Sequence, residues 1–126
     1  MFWYHLLGVS FGAAVGATLR WGLSYTFNEI IPNFPLGTLL CNLIGGLAIG
    51  VALALFLTHD WSDAWRHFVV TGLLGGLTTF STFSAEISLL LMRSEYLVAM
   101  FLAFSHLLGS LLLTIIGFTL VCWITQ

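Results

Sequence analysis

Four long apolar stretches, separated by short polar connectors, set the pattern of this chain. They cover residues 2–27, 35–58, 67–92 and 96–124. About 20 consecutive apolar residues are enough for a helix to cross the hydrocarbon core of a membrane, and each stretch reaches that length. The pattern predicts an all-α integral membrane protein, a single domain of four transmembrane helices that span roughly residues 3–27, 35–58, 67–92 and 96–124.

The third stretch contains a run of small and hydroxyl residues that disturbs its helical pattern. Gly72, Gly75 and Gly76 precede the pair Thr78-Thr79, and glycine weakens a helix interior. In lipid, a broken backbone is tolerated only where protein or a polar pathway covers the freed N–H and C=O groups. We therefore expect the third helix to be broken near its middle, at these glycines.

Composition excludes a water-soluble protein and several classes of function. Of the 126 residues, 60% are hydrophobic and 6% are charged, whereas soluble domains carry about 25% charged residues. The formal net charge of −2 and the lack of a basic run leave no surface for nucleic acid. The two cysteines and four histidines lack metal-binding spacing, and no nucleophile and base are paired outside the spans, so an enzyme is not expected.

Positive charge is balanced between the two membrane faces. Arg66 lies on the side shared by the N-terminus, the second connector and the C-terminus, and Arg93 lies on the other side. Arg20 is inside the first span and counts weakly. No excess of Lys and Arg therefore sets an orientation, so the chain can insert both ways round and pair antiparallel. Insertion in one orientation, with one arginine sufficing, is the alternative.

One face of the first helix carries Gly8, Gly12, Gly16 and Arg20 at four-residue spacing. Small residues at that spacing let helices approach closely, which is the packing interpretation of the glycines. A charge as deep as Arg20 needs an interior partner or a task. Glu86 is the only buried carboxylate that can pair with it, and Arg20 can also draw an anion toward a vestibule.

Polar side chains recur on one face of each of the other three spans. Asn42, the only amide in the middle of a span, can bond to another helix or donate its NH₂ to an anion. Hydroxyl and imidazole groups at helical spacing form two further tracks. Their members are Ser81, Ser84 and Ser88 in the third span and His106, Ser110 and Thr114 in the fourth. Together they predict a narrow polar pathway built of neutral donors.

Phe80 and Phe83 border both the break and a hydroxyl track. Aromatics three residues apart are often plain core, but phenyl edges carry the positive part of the ring quadrupole, so an anion can lie against them. A cation would instead require carboxylates or carbonyls. The pathway therefore favours a small, strongly hydrated anion, because such an ion needs dense contacts to replace its water.

These residues resemble the CrcB/Fluc family of fluoride channels over essentially the whole chain. The similarity lies in the run Gly75-Gly76-Leu77-Thr78-Thr79-Phe80-Ser81-Thr82-Phe83, in Gly37-Thr38-Leu39 with Asn42 and Gly45 upstream, and in Arg20 of helix one. The resemblance implies an antiparallel, dual-topology homodimer with two fluoride pores, each lined by both subunits.

The resemblance also implies roles for individual residues. Phe80 and Phe83 match the phenylalanine pair whose ring edges contact the ion, and Asn42 matches the polar pore residue of helix two. The other implied pore positions are Ser81, Thr82, Ser110 and Arg20, with His106 in the region where some members carry a tyrosine.

A structural sodium ion at the dimer centre is the one cofactor that the resemblance implies. The backbone carbonyls of Gly75 and Thr78 from each subunit are expected to coordinate it. Structural roles are expected for Gly76, Thr79 and Glu86.

The expected function is passive, selective export of fluoride across the bacterial cytoplasmic (inner) membrane, which protects the cell from fluoride toxicity. The expected partners are fluoride, a second copy of the chain and membrane lipid. A small multidrug-type, proton-coupled exporter is the alternative, but it needs a carboxylate in helix one, where this chain has Arg20. A non-transporting assembly subunit is a third interpretation, which leaves the polar tracks without a purpose.

Overall fold

The computed structural model describes residues 1–126 and contains no β-sheet. Helix α1 covers Phe2–Phe27 and α2 covers Leu36–Thr58. The third span, Asp63–Met92, is divided into several segments, and the fourth span covers Tyr96–Ile124. All four spans are long and apolar enough to cross a membrane. The predicted all-α fold with four transmembrane helices is confirmed.

The third span begins earlier than predicted and changes its helical type along its length. It starts with a short α3 (Asp63–Arg66), continues as a π-helix (His67–Leu74) and ends its first half with α4 (Gly75–Leu77). Helix α5 (Phe80–Met92) forms the second half, and the fourth span is α6. The start at Asp63, rather than residue 67, is explained by an acidic side chain in the first turn, where the helix dipole favours negative charge.

The break in the third span lies between Leu77 and Phe80, after the glycines. Thr78 has φ −83° and ψ 157°, and Thr79 has φ −150° and ψ 123°, so both residues are extended. Gly75 is helical, with φ −62° and ψ −35°. The predicted break near the middle is confirmed, but the expectation that the glycines themselves leave helical geometry was wrong.

Two of the glycines, Gly72 and Gly76, instead allow the third span to lie directly against α1. A Cβ on Gly76 would be 2.6 Å from the carbonyl oxygen of Ala13, and one on Gly12 would be 2.6 Å from that of Phe68. A Cβ on Gly16 would overlap the carbonyl oxygen of Leu73. The glycine face of helix one is therefore a close-packing surface, as in other small-residue helix contacts in membranes.

A second close contact joins α2 to α6 and sets the position of the polar tracks. A Cβ on Gly46 would be 2.8 Å from the carbonyl oxygen of Ser110, and one on Gly50 would overlap that of Thr114. The hydroxyl groups of α6 therefore face α2. Only 21 of the 126 residues are buried, so most apolar side chains are left for lipid or for another protein surface.

Candidate functional site: a polar cavity at the helix break

A cavity of about 520 Å³ lies between α2, the broken third span and α6. It is open on one side, and the break forms part of its wall. Its polar side chains are few and come from three helices. They belong to Asn42, Thr78, Thr79, His106, Ser110 and Thr114, and the rings of Phe80 and Phe83 lie beside them.

Asn42 holds the break in place from the neighbouring helix. Its Oδ1 accepts a hydrogen bond from the backbone amide of Thr79 at 2.8 Å, and its Nδ2 donates to the backbone carbonyl of the same residue at 2.9 Å. The Asn42 side chain thus replaces the helical acceptor of the Thr79 amide and adds a donor to the Thr79 carbonyl, so it satisfies backbone groups that lipid cannot. Asn42 therefore bonds to another helix, which is one of the two roles that the sequence allowed.

The break frees several carbonyl groups from their helical partners, among them those of Gly75 and Thr78. In a continuous helix the carbonyl of Gly75 would accept from the amide of Thr79, but that amide donates to Asn42. The carbonyl of Thr78 would accept from the amide of Thr82, but that amide donates to Oγ1 of Thr79 at 3.1 Å. Both Gly75 and Thr78 line the cavity.

Thr79 starts the second half of the third span. Its hydroxyl accepts the amide of Thr82, which is the usual N-cap arrangement of a threonine. The hydroxyls of Thr79 and Ser81 are 3.4 Å apart. Ser81 is exposed and Thr82 is half-buried, and neither lines the cavity of its own chain.

His106 extends the network from Asn42 across to α6. Nδ2 of Asn42 lies 2.9 Å from Nδ1 of His106. The imidazole is only 4% exposed, and its ring centroid is 4.6 Å from that of Phe83. The predicted pore residues Asn42, Phe83 and His106 are therefore brought into direct contact.

The hydroxyl track of α6 is bonded to α2. Oγ of Ser110 donates to the carbonyl of Asn42 at 3.3 Å, and Oγ1 of Thr114 donates to the carbonyl of Gly46 at 2.8 Å. The third-span track behaves differently, since Ser88 donates to the carbonyl of Ser84 in its own helix. Within one chain the two tracks do not face each other.

The two phenylalanines lie at the mouth of the cavity. Their ring centroids are 5.4 Å apart and the rings are tilted by 57°. Phe83 is half-buried, whereas Phe80 is 79% exposed. A large aromatic side chain at the start of α5, next to buried polar groups, is therefore left uncovered.

Arg20 and Glu86 do not form the ion pair that helix-one spacing suggested. Nε of Arg20 donates to the carbonyl of Gly76 at 3.0 Å. This bond satisfies one of the carbonyls freed by the break, and it explains why the guanidinium points into the protein. Arg20 does not line the cavity.

Glu86 has a different partner, which is a threonine of α2. Oγ1 of Thr38 donates to Oε1 of Glu86 at 2.6 Å. Asn28 supports this contact, because its Oδ1 accepts the amide of Thr38 at 3.0 Å and its Nδ2 donates to Oγ1 at 3.3 Å. Oε2 of Glu86 is buried without a partner.

The sequence did not identify Asn28 as part of these networks, and it did not pair the α6 track of Ser110 and Thr114 with α2. Asn28 was assigned to a connector, although an amide directly after the last turn of a helix often bonds to a neighbouring backbone. Thr114 stands four residues after Ser110, as Gly46 stands four after Asn42. This matched spacing was the available signal that the two faces meet.

The chain matches a family model described as CrcB-like protein, Camphor Resistance (CrcB), over residues 7–118. Curated relatives named fluoride-specific ion channel FluC align almost from end to end. The protein from Acinetobacter baylyi is 49% identical over 121 residues, which is 96% of each chain. The one from Thiobacillus denitrificans is 55% identical over 113 residues, 89% of this chain and 91% of the relative. With a family model across most of its length and relatives this similar, the chain belongs to the CrcB family.

Proposed function

We propose that this protein is a passive fluoride channel of the bacterial membrane. The observation that carries the proposal is the cavity at the helix break, where two phenyl rings adjoin buried polar groups. The relatives named fluoride-specific ion channel support the ion, and the four spans support a multi-pass membrane location. Export follows the electrochemical gradient, because an inside-negative membrane drives an anion outward.

The lining of the cavity favours an anion. Its side chains include no aspartate and no glutamate, the residues that form the charged rings of many cation channels. The phenyl edges of Phe80 and Phe83 and the imidazole of His106 offer positive partial charge instead. A small anion can exchange its water for these contacts.

Coupled transport is not favoured by the arrangement of charged groups. A proton-coupled exporter of cationic drugs needs a carboxylate in the first span, and α1 contains Arg20 but no acidic residue. An assembly subunit would not need the polar cavity. Neither alternative accounts for the similarity to the curated channels.

We propose that a second copy of the chain closes the open side of the cavity. Polar groups that face lipid are costly, and the cavity with its polar groups is open on one side. Phe80, which lies beside these groups, is 79% exposed. An antiparallel partner agrees with the balance of Arg66 and Arg93 between the two faces. Each pore would then be lined by both subunits, which offers a role to Ser81 and Thr82.

The residues at the break fit a structural sodium ion. Gly75 and Thr78 line the cavity, and their carbonyls lack their helical amide partners. Oxygen atoms are the ligands that hard cations prefer. We propose that these carbonyls, from both subunits, hold sodium at the dimer centre, where the ion would supply positive charge.

Fluoride efflux from liposomes tests the proposal directly. Vesicles that contain the purified dimer are loaded with potassium fluoride or potassium chloride, and valinomycin provides the counter-current. Rapid loss of fluoride with retention of chloride is expected. Retention of both anions by folded, dimeric protein would contradict the channel function and favour an assembly role.

A further inference from the structure

Two histidines from different helices meet near the start of the first and third spans. His5 lies near the start of α1, and His67 is the first residue of the π-helix. Their ring centroids are 5.0 Å apart, and the ring planes are tilted by 45°. Neither residue lines the cavity at the helix break. This histidine pair is therefore separate from the proposed fluoride site.

The close contact between α1 and the third span fixes the position of the pair. The three glycines of the α1 contact face follow His5 at positions i+3, i+7 and i+11, so His5 shares that face. A Cβ on Gly12 would be 2.6 Å from the carbonyl oxygen of Phe68, the residue after His67. The packed backbones thus hold the two rings together at one end of the glycine contact.

The ring nitrogens of the pair are free to bind a ligand. The rings of His59 and His106 hydrogen bond within the chain, whereas those of His5 and His67 do not. His67 is exposed and His5 is half-buried, so a dissolved ion can reach both. The last side-chain torsion of histidine is broad, so one nitrogen of each ring can turn toward a common point.

The separation of the rings fits two imidazoles bound to one metal ion. An imidazole nitrogen lies about 2.0–2.1 Å from Zn²⁺, and two such rings at a tetrahedral angle have centroids about 5 Å apart. Zn²⁺, Cu²⁺ and Ni²⁺ suit imidazole ligands, whereas Mg²⁺ and Ca²⁺ prefer oxygen. The chain adds no third histidine, cysteine or carboxylate to the pair, so water completes the coordination.

The charges around the pair permit a cation. Arg66 precedes His67, but its guanidinium lies 5.5 Å from the centre of the Phe56 ring and donates to the Phe56 carbonyl of α2. Asp63 stands four residues before His67, about one helical turn away on the same face. Its carboxylate offsets the charge of the arginine.

We propose that His5 and His67 together bind a divalent transition-metal ion, such as Zn²⁺ or Cu²⁺, which ties the start of α1 to the start of the π-helix. An ion that binds only the folded protein adds to its stability. The inference goes beyond the channel function, because the site lies outside the cavity. Spacing along the sequence does not reveal the pair, since the two ligands belong to different helices.

Pulsed electron paramagnetic resonance with Cu²⁺ counts the imidazoles bound to the ion. The full-length protein, freed of any histidine-containing affinity tag, is reconstituted in liposomes, stripped with a chelator and washed. It then receives less than one equivalent of Cu²⁺. Electron spin echo envelope modulation distinguishes one bound imidazole from two, and we expect two in the unaltered protein.

His5→Phe and His67→Phe keep an aromatic ring at each position but remove the nitrogen ligands. We expect each variant to reduce the signal to one imidazole and to weaken Cu²⁺ binding by at least about tenfold. His59→Phe is the matched control, because His59 is exposed and its ring bonds to Thr58. This variant should retain both imidazoles and the affinity of the unaltered protein.

Thermal unfolding with Zn²⁺ supplies a readout that does not depend on copper. Saturating Zn²⁺ should raise the unfolding midpoint of the unaltered protein and of His59→Phe by about 2–5 °C. The midpoints of His5→Phe and His67→Phe should not respond to Zn²⁺.

The possible outcomes decide between a metal site and plain aromatic packing. One imidazole or none at Cu²⁺ in the unaltered protein would overturn the inference, as would two in either pair variant or equal stabilisation of those variants by Zn²⁺. If a pair variant does not fold, two imidazoles in both the unaltered protein and His59→Phe support the pair, since His106 is buried. Fluoride efflux enters none of these measurements, so a failure of the channel proposal is distinguished from a failure of this one.

Discussion

The rings at the start of α5 offer a positive edge that an aliphatic side chain lacks. Phe80→Ile and Phe83→Ile keep an apolar side chain but remove the aromatic quadrupole. We expect each to lower fluoride efflux by roughly three- to tenfold at equal amounts of reconstituted dimer. The measurement is the initial efflux rate with a fluoride electrode.

Phe11→Ile is the matched control for this pair. Phe11 is an exposed phenylalanine of α1 and does not line the cavity. Fluoride efflux through the Phe11→Ile variant should equal that through the unaltered protein. Unchanged efflux in both Phe80→Ile and Phe83→Ile would remove the edge-on interpretation.

The hydroxyl of Thr38 is expected to stabilise the fold through Glu86. Thr38→Val keeps the shape of the side chain but leaves Oε1 of Glu86 without its donor, which is 2.6 Å away in the structure. We expect the free energy of unfolding to fall by roughly 1–3 kcal/mol. Titration with sodium dodecyl sulfate, followed by circular dichroism, measures the change.

Thr18→Val provides the comparison for this second prediction. The hydroxyl of Thr18 is exposed and bonds only to the carbonyl of Ala14 in its own helix. Its loss should change the free energy of unfolding by less than about 0.5 kcal/mol. Equal effects of the two substitutions would show that the contact with Glu86 contributes nothing.

The residues of the candidate site were predictable where their spacing along one helix placed them on a common face. Asn42, Phe80, Phe83, His106 and Ser110 all meet at one cavity, as their faces and the family resemblance indicated. Spacing within a helix gives a face but no partner on another helix.

The sequence left open whether Arg20 pairs with Glu86, and in the structure the two do not pair. The carbonyl of Gly76 and the hydroxyl of Thr38 are nearer partners. A single sequence does not show such contacts.

Between whole helices, the contact of α1 with the third span depends on glycine. A Cβ on Gly16 would overlap the Leu73 carbonyl and lie 2.7 Å from the amide nitrogen of Leu77. Both are backbone atoms, so the helices must separate to accommodate Gly16→Ala. We expect a loss of about 1–3 kcal/mol in the free energy of unfolding, measured by the same titration.

Gly22→Ala tests whether this loss comes from packing. Gly22 lies on the same helix, and a Cβ there would meet no atom within 4 Å. Alanine favours a helix over glycine, so stability should be unchanged or slightly higher. A loss as large as that of Gly16→Ala would contradict the close-packing explanation.

The break illustrates why element boundaries were harder to predict than element number. Hydrophobic length alone predicts four spans, because every span must cross the same thickness of lipid. The position of the break depends on Asn42, which belongs to a different helix and replaces the helical acceptor of the Thr79 amide. Gly72 and Gly76 mark the contact with α1 instead.

For the whole molecule, the proposed antiparallel pairing depends on an even distribution of charge. Glu29→Arg adds a positive charge to the first connector and Asp60→Arg adds one to the second; both residues are exposed. Each change should bias the chain toward one orientation, and the two biases are opposite. We expect each variant alone to lose most fluoride efflux. Co-expression of the two variants, which supplies copies in both orientations, should restore it.

Orientation and activity must be measured on the same samples. Protease access to a C-terminal tag reports orientation, and fluoride efflux reports activity. Full efflux from either variant in a single orientation would rule out an obligatory antiparallel dimer. Loss of efflux without any bias in orientation would point instead to a local effect of the substitution.

The double hydrogen bond from Asn42 to Thr79 also has a consequence for how this gene can vary. Only a side chain that both accepts and donates at this distance can make the two bonds. A single base change in either asparagine codon gives Asp, His, Lys, Ser, Thr, Tyr or Ile, and none of these carries an amide. Glutamine, the other amide, is two base changes away, so every one-step replacement weakens the support of the break. Natural variation should therefore be sparse at position 42.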